Sequence, residues 1–364
     1  MATLTTSYAA PRRPDLARLG PNWYAVVMGT AITANAAAAL PLHLPGLRSF
    51  AELVWVLAAN LLVLLVIGRT VHLVRHREAA RAQLLDPATA VFYGCPPMAL
   101  LAVGYGTLVL GGPLIGTGPA VAIDLVLWTL GTVYALAVAV GIPALMVARR
   151  RVSALRANPT WLLPVVAPMV AAALGPALVP HLPAGARTAM LFGCYGLFGA
   201  SLLACLTLLP VVFAGLLHGG PPALALTPSL FLVLGPLGQS TTAVHQLADA
   251  ARLADPGLAA PAGAFAVLYG ITMLGFALLW LVLAGAANLR AWRSGMRFAM
   301  TWWAYTFPVG TLVTGSAAMA RHTGFAGFTV LAAGLFALLL AAWAVAAGRT
   351  AAGLYAGRLL GPAV

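Results

Sequence analysis

The chain has 364 residues, of which 62% are hydrophobic and 7% are charged, with a formal net charge of +13. A soluble domain carries about 25% charged residues, so this composition excludes a soluble fold and indicates a single polytopic membrane domain. The basic residues lie in short segments between apolar runs and form no single clustered face, which argues against nucleic-acid binding.

The chain opens with a polar stretch, residues 1–20, that lacks the apolar core of a cleavable signal peptide. Residues 21–348 are expected to form a domain of ten transmembrane helices, and residues 349–364 a second tail. Each apolar run has about 20–30 residues, enough to cross roughly 30 Å of hydrocarbon. The predicted spans are 22–40, 51–73, 88–110, 120–148, 160–179, 187–216, 228–247, 262–288, 297–319 and 325–347.

The distribution of arginine supports ten spans. All 20 basic residues are Arg, and with the N-terminus inside, 16 of them fall on the inner side of the membrane and 4 on the outer side. Cytoplasmic loops carry an excess of positive residues. We therefore expect a multi-pass protein of the plasma membrane (the cell inner membrane of a bacterial-type cell) with both termini in the cytoplasm.

The odd-numbered spans are interrupted by Gly or Pro, whereas the even-numbered spans are mostly smooth. The interruptions recur at intervals of 68, 71, 68 and 72 residues, which indicates a repeated unit, here five helical hairpins. A proline inside a helix kinks it and frees a carbonyl that must be satisfied within the protein. The predicted fold is therefore all-α, with five kinked inner helices around a central pore and five straight ones outside. Alternatively, Gly and Pro are simply common in membrane helices. The predicted kinks are Gly29, Pro97, Pro168, Pro236 and Pro308.

Polar side chains on the interrupted spans are candidates for lining the pore. Hydroxyl and amide groups could coordinate a partly dehydrated solute, although Ser and Thr often bond their own helix backbone or hold helices together. The candidates are Thr30, Thr33, Gln239, Ser240, Thr241, Thr242 and Thr311.

The acidic residues suggest the sign of the solute. All 7 Asp and Glu residues fall in a tail, in a loop or near the end of a predicted span. Carriers coupled to protons or cations usually need a buried carboxylate, whereas helix N-termini and hydroxyls without a carboxylate suit an anion. The three cysteines form no CxxC pair, and HExxH, GxSxG and P-loop motifs are lacking. We expect no metal, no cofactor and no enzymatic activity.

Two passages resemble one transporter family. The stretch Pro21–Thr30, which reads PNWYAVVMGT, resembles the opening of the first span in the tellurite-resistance/dicarboxylate transporter family. The stretch Phe298–Pro308, with Trp302 and Trp303, resembles that family's ninth span. The family includes plant slow anion channels, fungal sulfite efflux pumps and malic-acid permeases. The resemblance implies a homotrimer with one pore in each protomer, and a phenylalanine on the ninth helix, here Phe307, that plugs the pore.

The combined reading is transport of a small anion of the C4-dicarboxylate, sulfite or tellurite class through a pore gated by Phe307. A proton-coupled carrier of the same anions stays open as an alternative, because a protonated substrate can itself carry the proton. A membrane-embedded protein without transport activity is a further alternative. A cation or drug exporter is disfavoured, because it would need acidic or aromatic cage residues at mid-depth.

Overall fold

The computed structural model describes residues 16–149, 153 and 157–360, and in this part of the chain every regular element is a helix. Residues 1–15 and 361–364 of the two predicted tails lie outside the described residues, as do 150–152 and 154–156. The α-helices are α1 (Tyr24–Ala39), α2 (Leu47–Arg75), α3 (Arg77–Leu85), α4 (Pro87–Ala90), α5 (Cys95–Leu110), α6 (Gly112–Ile115), α7 (Thr117–Arg149), α8 (Leu162–Leu174), α9 (Ala184–Gly219), α10 (Leu234–Ala254), α11 (Pro256–Arg293), α12 (Phe307–Thr323) and α13 (Ala326–Tyr355).

Five of these helices, which we call the ring helices, form a closed ring. The helix α1 contacts α5, α5 contacts α8, α8 contacts α10, α10 contacts α12, and α12 returns to contact α1. Nearly every residue of these five helices is buried. The helices α1, α5 and α8 are also largely apolar, as expected of helices that face protein on every side, whereas α10 and α12 bury several polar side chains.

Each ring helix packs against the long helix that follows it in the chain: α1 against α2, α5 against α7, α8 against α9, α10 against α11, and α12 against α13. In these five long helices only 22–28% of the most apolar window is buried, and many large hydrophobic side chains are exposed. Such a surface is unfavourable in water and favourable in hydrocarbon. The long helices therefore form an outer layer that is suited to contact lipid.

Seven helical segments of the described chain are long and apolar enough to cross a membrane. The sequence predicts ten, and the three that fall outside this set are the ring helices α1, α10 and α12. The helices α1 and α12 have only 16 and 17 residues, and α10 carries polar residues such as Gln239 and His245 along its length. The multi-pass membrane character is thus supported, while these three crossings stay predictions.

A short 3-10 segment precedes each ring helix. Three of the predicted kink prolines, Pro97, Pro236 and Pro308, lie within the first three residues of α5, α10 and α12, whereas Pro168 lies inside α8. A proline is tolerated in the first turn of a helix because its missing N–H has no partner there. Three of the four predicted kink prolines therefore lie where a 3-10 segment ends and an α-helix begins. The 3-10 segments are Pro21–Trp23, Val91–Gly94, Pro159–Trp161, Leu224–Val233 and Met300–Tyr305.

Glycine allows ring helices to approach closely. A Cβ atom on Gly238 of α10 would lie 2.5 Å from the carbonyl carbon of Thr311 and 2.6 Å from the nitrogen of Leu312, both in α12. On α1, a Cβ atom on Gly29 would lie 2.6 Å from the ring of Trp303 and would overlap the hydroxyl of Thr306. Real Cβ atoms do not reach such distances, so both contacts depend on the absence of a side chain.

Candidate functional site

The ring helices line two cavities that share one lining residue. The first, which we call the N-end cavity, is lined by the first turns of all five ring helices. The second, the C-end cavity, is lined by residues nearer the C-terminal ends of the same helices. Phe307 lines both cavities, alone among the described residues that line either. Phe307 therefore lies between the two cavities.

The N-end cavity is apolar and has a volume of about 130 Å³. Its wall is formed mainly by side chains such as Met28, Met98, Leu163 and Val166. A cavity needs only about 10–15 Å³ to hold one water molecule, so this cavity can hold a small solute with some of its water. Its polar side chains come from the 3-10 segments and the residues beside them, and they are Asn22, Thr160, Ser229 and Thr301.

Ser229 differs from the other two hydroxyls on this wall. The hydroxyl of Thr160 donates to Asn158 Oδ1 at 2.6 Å, and Thr301 donates to the carbonyl oxygen of Ala225 at 2.5 Å. Ser229 is only 1% exposed, and its Oγ atom has no hydrogen-bond partner. A buried hydroxyl without a partner is unfavourable, so this group is available to a solute in the cavity.

Phe307 is the first residue of α12 and is 6% exposed. The hydroxyl of the preceding residue, Thr306, donates to the carbonyl oxygen of Trp303 at 2.7 Å, and the following residue, Pro308, lacks a backbone N–H. The ring thus stands at the junction between the 3-10 segment and α12. An apolar ring at a narrow point disfavours water and therefore hydrated ions.

The C-end cavity is smaller and more polar, with a volume of about 20 Å³. Asn35 donates to the carbonyl oxygen of Ala102 at 2.9 Å, and the hydroxyls of Thr242 and Thr314 lie 2.8 Å apart. The side-chain carbonyl oxygen of Gln239, Oε1, is buried and has no hydrogen-bond partner. In this conformation the cavity has room for about one water molecule, so an anion can occupy it only after the helices move.

One cation faces the C-end cavity. Arg321, near the end of α12, lines it and donates to the carbonyl oxygen of Ala39, the last residue of α1, at 3.1 Å. Helix C-termini present unpaired carbonyl groups and partial negative charge, which a guanidinium group offsets. The carboxylate of Asp249 lies 3.2 Å from His322 Nε2, and Asp249 does not line the cavity. The positive charge of Arg321 therefore lies at the edge of the C-end cavity.

Two of the predicted pore-lining residues, Gln239 and Thr242, line the C-end cavity. Thr30 instead faces α13, where its hydroxyl accepts a hydrogen bond from Trp343 at 3.2 Å. Ser240 lines a separate crevice beside α9. These two therefore lie away from the enclosed axis.

The other three candidates, Thr33, Thr241 and Thr311, line none of these cavities. The hydroxyl of Thr33 donates to the carbonyl oxygen of Gly29 at 2.8 Å, and that of Thr241 donates to Leu237 at 2.9 Å. Thr311 donates to Pro308 at 2.7 Å. All three hydroxyls are thus bonded to the backbone of their own helix, which is the local alternative open to Ser and Thr in helices.

Sequence reasoning missed Ser229 and Thr160, because both lie at the first edge of a predicted span, away from the Gly and Pro interruptions that selected the candidates. The repeat itself holds the signal that could have found them. Asn22, Phe92, Thr160, Ser229 and Thr301 line the N-end cavity and recur at intervals of 70, 68, 69 and 72 residues. Extending the repeat from the prolines to the residues before them would have located this wall.

Asp124 differs from its sequence-based description as an acid near a span end. It is the eighth residue of α7, it is only 2% exposed, and its Oδ2 atom has no hydrogen-bond partner. A Cβ atom on Gly104 would lie 2.6 Å from Asp124 Oδ1, so the carboxyl group packs against α5. The protein therefore buries a carboxyl group between an outer helix and a ring helix, where it lines neither cavity.

Comparison with known proteins gives a family and several named relatives. A family model described as voltage-dependent anion channel matches residues 18–351. The chain is 30% identical to a sulfite efflux pump of Arthroderma otae over 349 residues, which cover 92% of this chain and 91% of the relative. It is 28% identical to a sulfite efflux pump of Trichophyton rubrum over 88% of each chain. It is 26% identical to an uncharacterised transporter of Methanocaldococcus jannaschii over 93% of this chain and 94% of the relative.

Proposed function

The chain belongs to the voltage-dependent anion channel family, and from this premise we propose that it conducts small oxyanions of the sulfite class through a pore gated by Phe307. The family assignment confirms the resemblance found in the two sequence passages and makes the protein a member of a transporter family. The observation that supports a gate at Phe307 is that, among the described residues, Phe307 alone lines both cavities.

The proposed pathway runs along the axis of the helix ring. An anion enters the N-end cavity, passes the ring of Phe307 and reaches the C-end cavity beside Gln239, Thr242 and Arg321. The buried phenyl ring excludes water from the junction, so passage requires the ring to move. A rotation of the side chain would join a cavity of about 130 Å³ to one of about 20 Å³.

The size and polarity of the pathway favour a small anion. Two relatives are named as sulfite efflux pumps, and sulfite is much smaller than malate or another C4-dicarboxylate. The C-end cavity, with room for about one water molecule, needs less widening for the smaller ion. We therefore place sulfite before C4-dicarboxylates and tellurite.

The proposed architecture follows from the packing of each ring helix on the long helix after it. We propose ten crossings arranged as five hairpins around the pore, in the plasma membrane, with both termini in the cytoplasm. In this arrangement 21–348 is the transport domain and 1–20 and 349–364 are tails, although α13 itself continues to Tyr355. We also propose the homotrimer that the family resemblance implies, with one pore in each protomer.

The test is anion flux into proteoliposomes that contain the purified protein. Phe307→Ala should raise the rate of sulfite uptake severalfold without a pH gradient, because the truncated side chain no longer closes the junction. Phe336→Ala is the matched control, since Phe336 of α13 is 7% exposed but lines neither cavity. Sulfite, malate, nitrate and chloride should be compared in the same vesicles.

The outcomes separate the alternatives. Equal sulfite flux through Phe307→Ala, Phe336→Ala and wild type would contradict the gate, while anion transport would stand. Malate moving faster than sulfite would change the substrate class. If no anion moves through any variant, the protein has a role other than transport.

A proton-coupled carrier is the second candidate, and the buried carboxyl group of Asp124 favours it. Intramembrane carboxyl groups often serve as proton relays in carriers. If this candidate is correct, wild-type flux should depend on a pH gradient and Asp124→Asn should abolish that dependence. Glu78→Gln is the control, because Glu78 is an exposed residue of α3. Wild-type flux that does not respond to the gradient would exclude the carrier.

A further inference from the structure

We propose that Ser229 and the first turns of the five ring helices form a binding site for a small oxyanion in the N-end cavity. This inference rests on the proposed function and deepens it, because it gives the transported anion a binding site on the N-end side of Phe307. The site requires a hydrogen-bond donor that the protein leaves free, a favourable potential and enough space.

The free donor is the hydroxyl of Ser229. Ser229 lines the cavity, and its buried Oγ atom has no hydrogen-bond partner in the described chain. The hydroxyls of Thr160 and Thr301 on the same wall already donate to protein oxygens. Hydrogen bonds to a charged acceptor are stronger than those between neutral groups. An oxyanion is therefore the ligand that best satisfies Ser229.

The favourable potential comes from the direction of the ring helices. The residues that line the cavity include Cys95 at the start of α5, Leu162 at the start of α8 and Phe307 at the start of α12. All five ring helices therefore present their N-terminal ends, and hence partial positive charge, to this space. None of the described residues on its wall is acidic or basic. The helix ends thus set the sign of the potential, and the apolar wall strengthens it by lowering the local dielectric constant.

The available space fits a small oxyanion better than a larger one. The cavity volume of about 130 Å³ accommodates sulfite with several waters, at about 10–15 Å³ for each water. A larger dicarboxylate would have to shed more water against Met28, Met98 and Val166. The site should therefore bind sulfite more tightly than malate.

The test is sulfite binding to the purified full-length protein by titration calorimetry in detergent. Ser229→Ala should raise the dissociation constant about tenfold, the loss expected for one hydrogen bond to a charged group. Ser316→Ala is the matched control, because Ser316 of α12 is 0% exposed and also lacks a partner, yet lines neither cavity. Ser229→Thr, which keeps the hydroxyl, should restore most of the affinity. Chloride and malate serve as competing ligands.

Flux through the same variants separates this site from the proposed function. Ser229→Ala should raise the sulfite concentration at half-maximal flux and leave the maximal rate largely unchanged. If wild type conducts sulfite but Ser229→Ala binds it with unchanged affinity, the site is wrong and the transport function stands. If Ser316→Ala weakens binding as much as Ser229→Ala, the effect comes from packing and the site is again wrong. If wild type neither binds nor conducts sulfite, both proposals fail.

Discussion

Gly29 connects the first ring helix to the residues that hold Phe307. The position is sterically closed, because Trp303 and Thr306 occupy the space that a side chain would need. Thr306 directly precedes Phe307, so a displacement at Gly29 reaches the proposed gate through one peptide bond. A residue on α1 can therefore influence a phenylalanine on α12 without touching it.

Gly29→Ala should change anion flux severalfold and lower the free energy of unfolding by about 1–3 kcal/mol, the usual range for an overpacked core position. The added methyl group must displace the ring of Trp303 or the hydroxyl of Thr306. The measurement is sulfite flux in proteoliposomes together with the thermal midpoint in detergent. Gly275→Ala is the control, because a Cβ atom on Gly275 of α11 meets open space. If Gly29→Ala has the same flux and the same thermal midpoint as wild type, Gly29 does not influence Phe307.

The sequence predicts which helices carry polar groups better than it predicts where those groups point. Gln239, Ser240 and Thr241 are consecutive on α10, and successive residues on an α-helix are rotated by about 100°. Of these three, only Gln239 therefore lines the C-end cavity. That difference could not be predicted because the neighbours around α10 are distant in sequence. Ser229 was missed for another reason, since a single serine in the first turn of a predicted span has no distinctive pattern.

At the scale of elements, α10 and α12 are joined by a backbone contact that tolerates no side chain. Gly238 faces the peptide bond between Thr311 and Leu312, so the two helices pack backbone to backbone. Small residues at such contacts are typical of helix pairs in membranes. The contact fixes the spacing of the two helices that contribute Gln239, Thr242 and Phe307.

Gly238→Ala should lower the free energy of unfolding by about 1–3 kcal/mol because the backbone of α12 would have to shift. The expected readout is a lower thermal midpoint and a faster leak of sulfite. Gly275→Ala again supplies the comparison and should be neutral or slightly stabilising, since Ala exceeds Gly in helix propensity by about 1 kcal/mol. A thermal midpoint equal to that of wild type would show that α12 moves at little cost.

The positions of the elements follow the hydropathy pattern, with errors at their ends. The run 228–247 begins inside the 3-10 segment Leu224–Val233, and α10 continues to Ala254, past Asp249 and Arg252. Charged residues ended the apolar run without ending the helix, because hydropathy measures the environment and not the backbone. The charged helix α3 was missed for the same reason.

At the scale of the whole molecule, the order of the helices makes a prediction about membrane sides. Under ten crossings, the turn after α10 and the turn after α11 lie on opposite faces of the membrane. Leu253, in the last turn of α10, and Ser294, in the turn after α11, are exposed residues at these two places. The described cysteines, Cys95, Cys194 and Cys205, are all buried and should give little background in a labelling experiment.

Ser294→Cys should react with a membrane-impermeant maleimide only after the cells are opened, whereas Leu253→Cys should react in intact cells. The reason is that the arginine excess places the Ser294 side in the cytoplasm. The measurement is the mass shift on a denaturing gel. Labelling of both positions from the same side would contradict the crossing of α11 between them.

The proposed homotrimer is tested by native mass spectrometry of the detergent-solubilised protein. Three copies of the 37.3 kDa chain should give a mass of about 112 kDa. All five outer helices expose apolar side chains, which can contact either lipid or a neighbouring copy. A mass of 37.3 kDa across detergents would reject the trimer. Because each protomer encloses its own pair of cavities, the pore proposal would survive that result.

The unequal volumes on the two sides of Phe307 have an electrical consequence. The larger N-end cavity can store an anion close to the junction, whereas the C-end cavity, at about 20 Å³, cannot. Anions driven from the N-end side start from an occupied reservoir, and those driven from the other side start from an empty one. Molecules inserted in one orientation in a planar bilayer should therefore rectify, with the larger current when anions are driven from the N-end side.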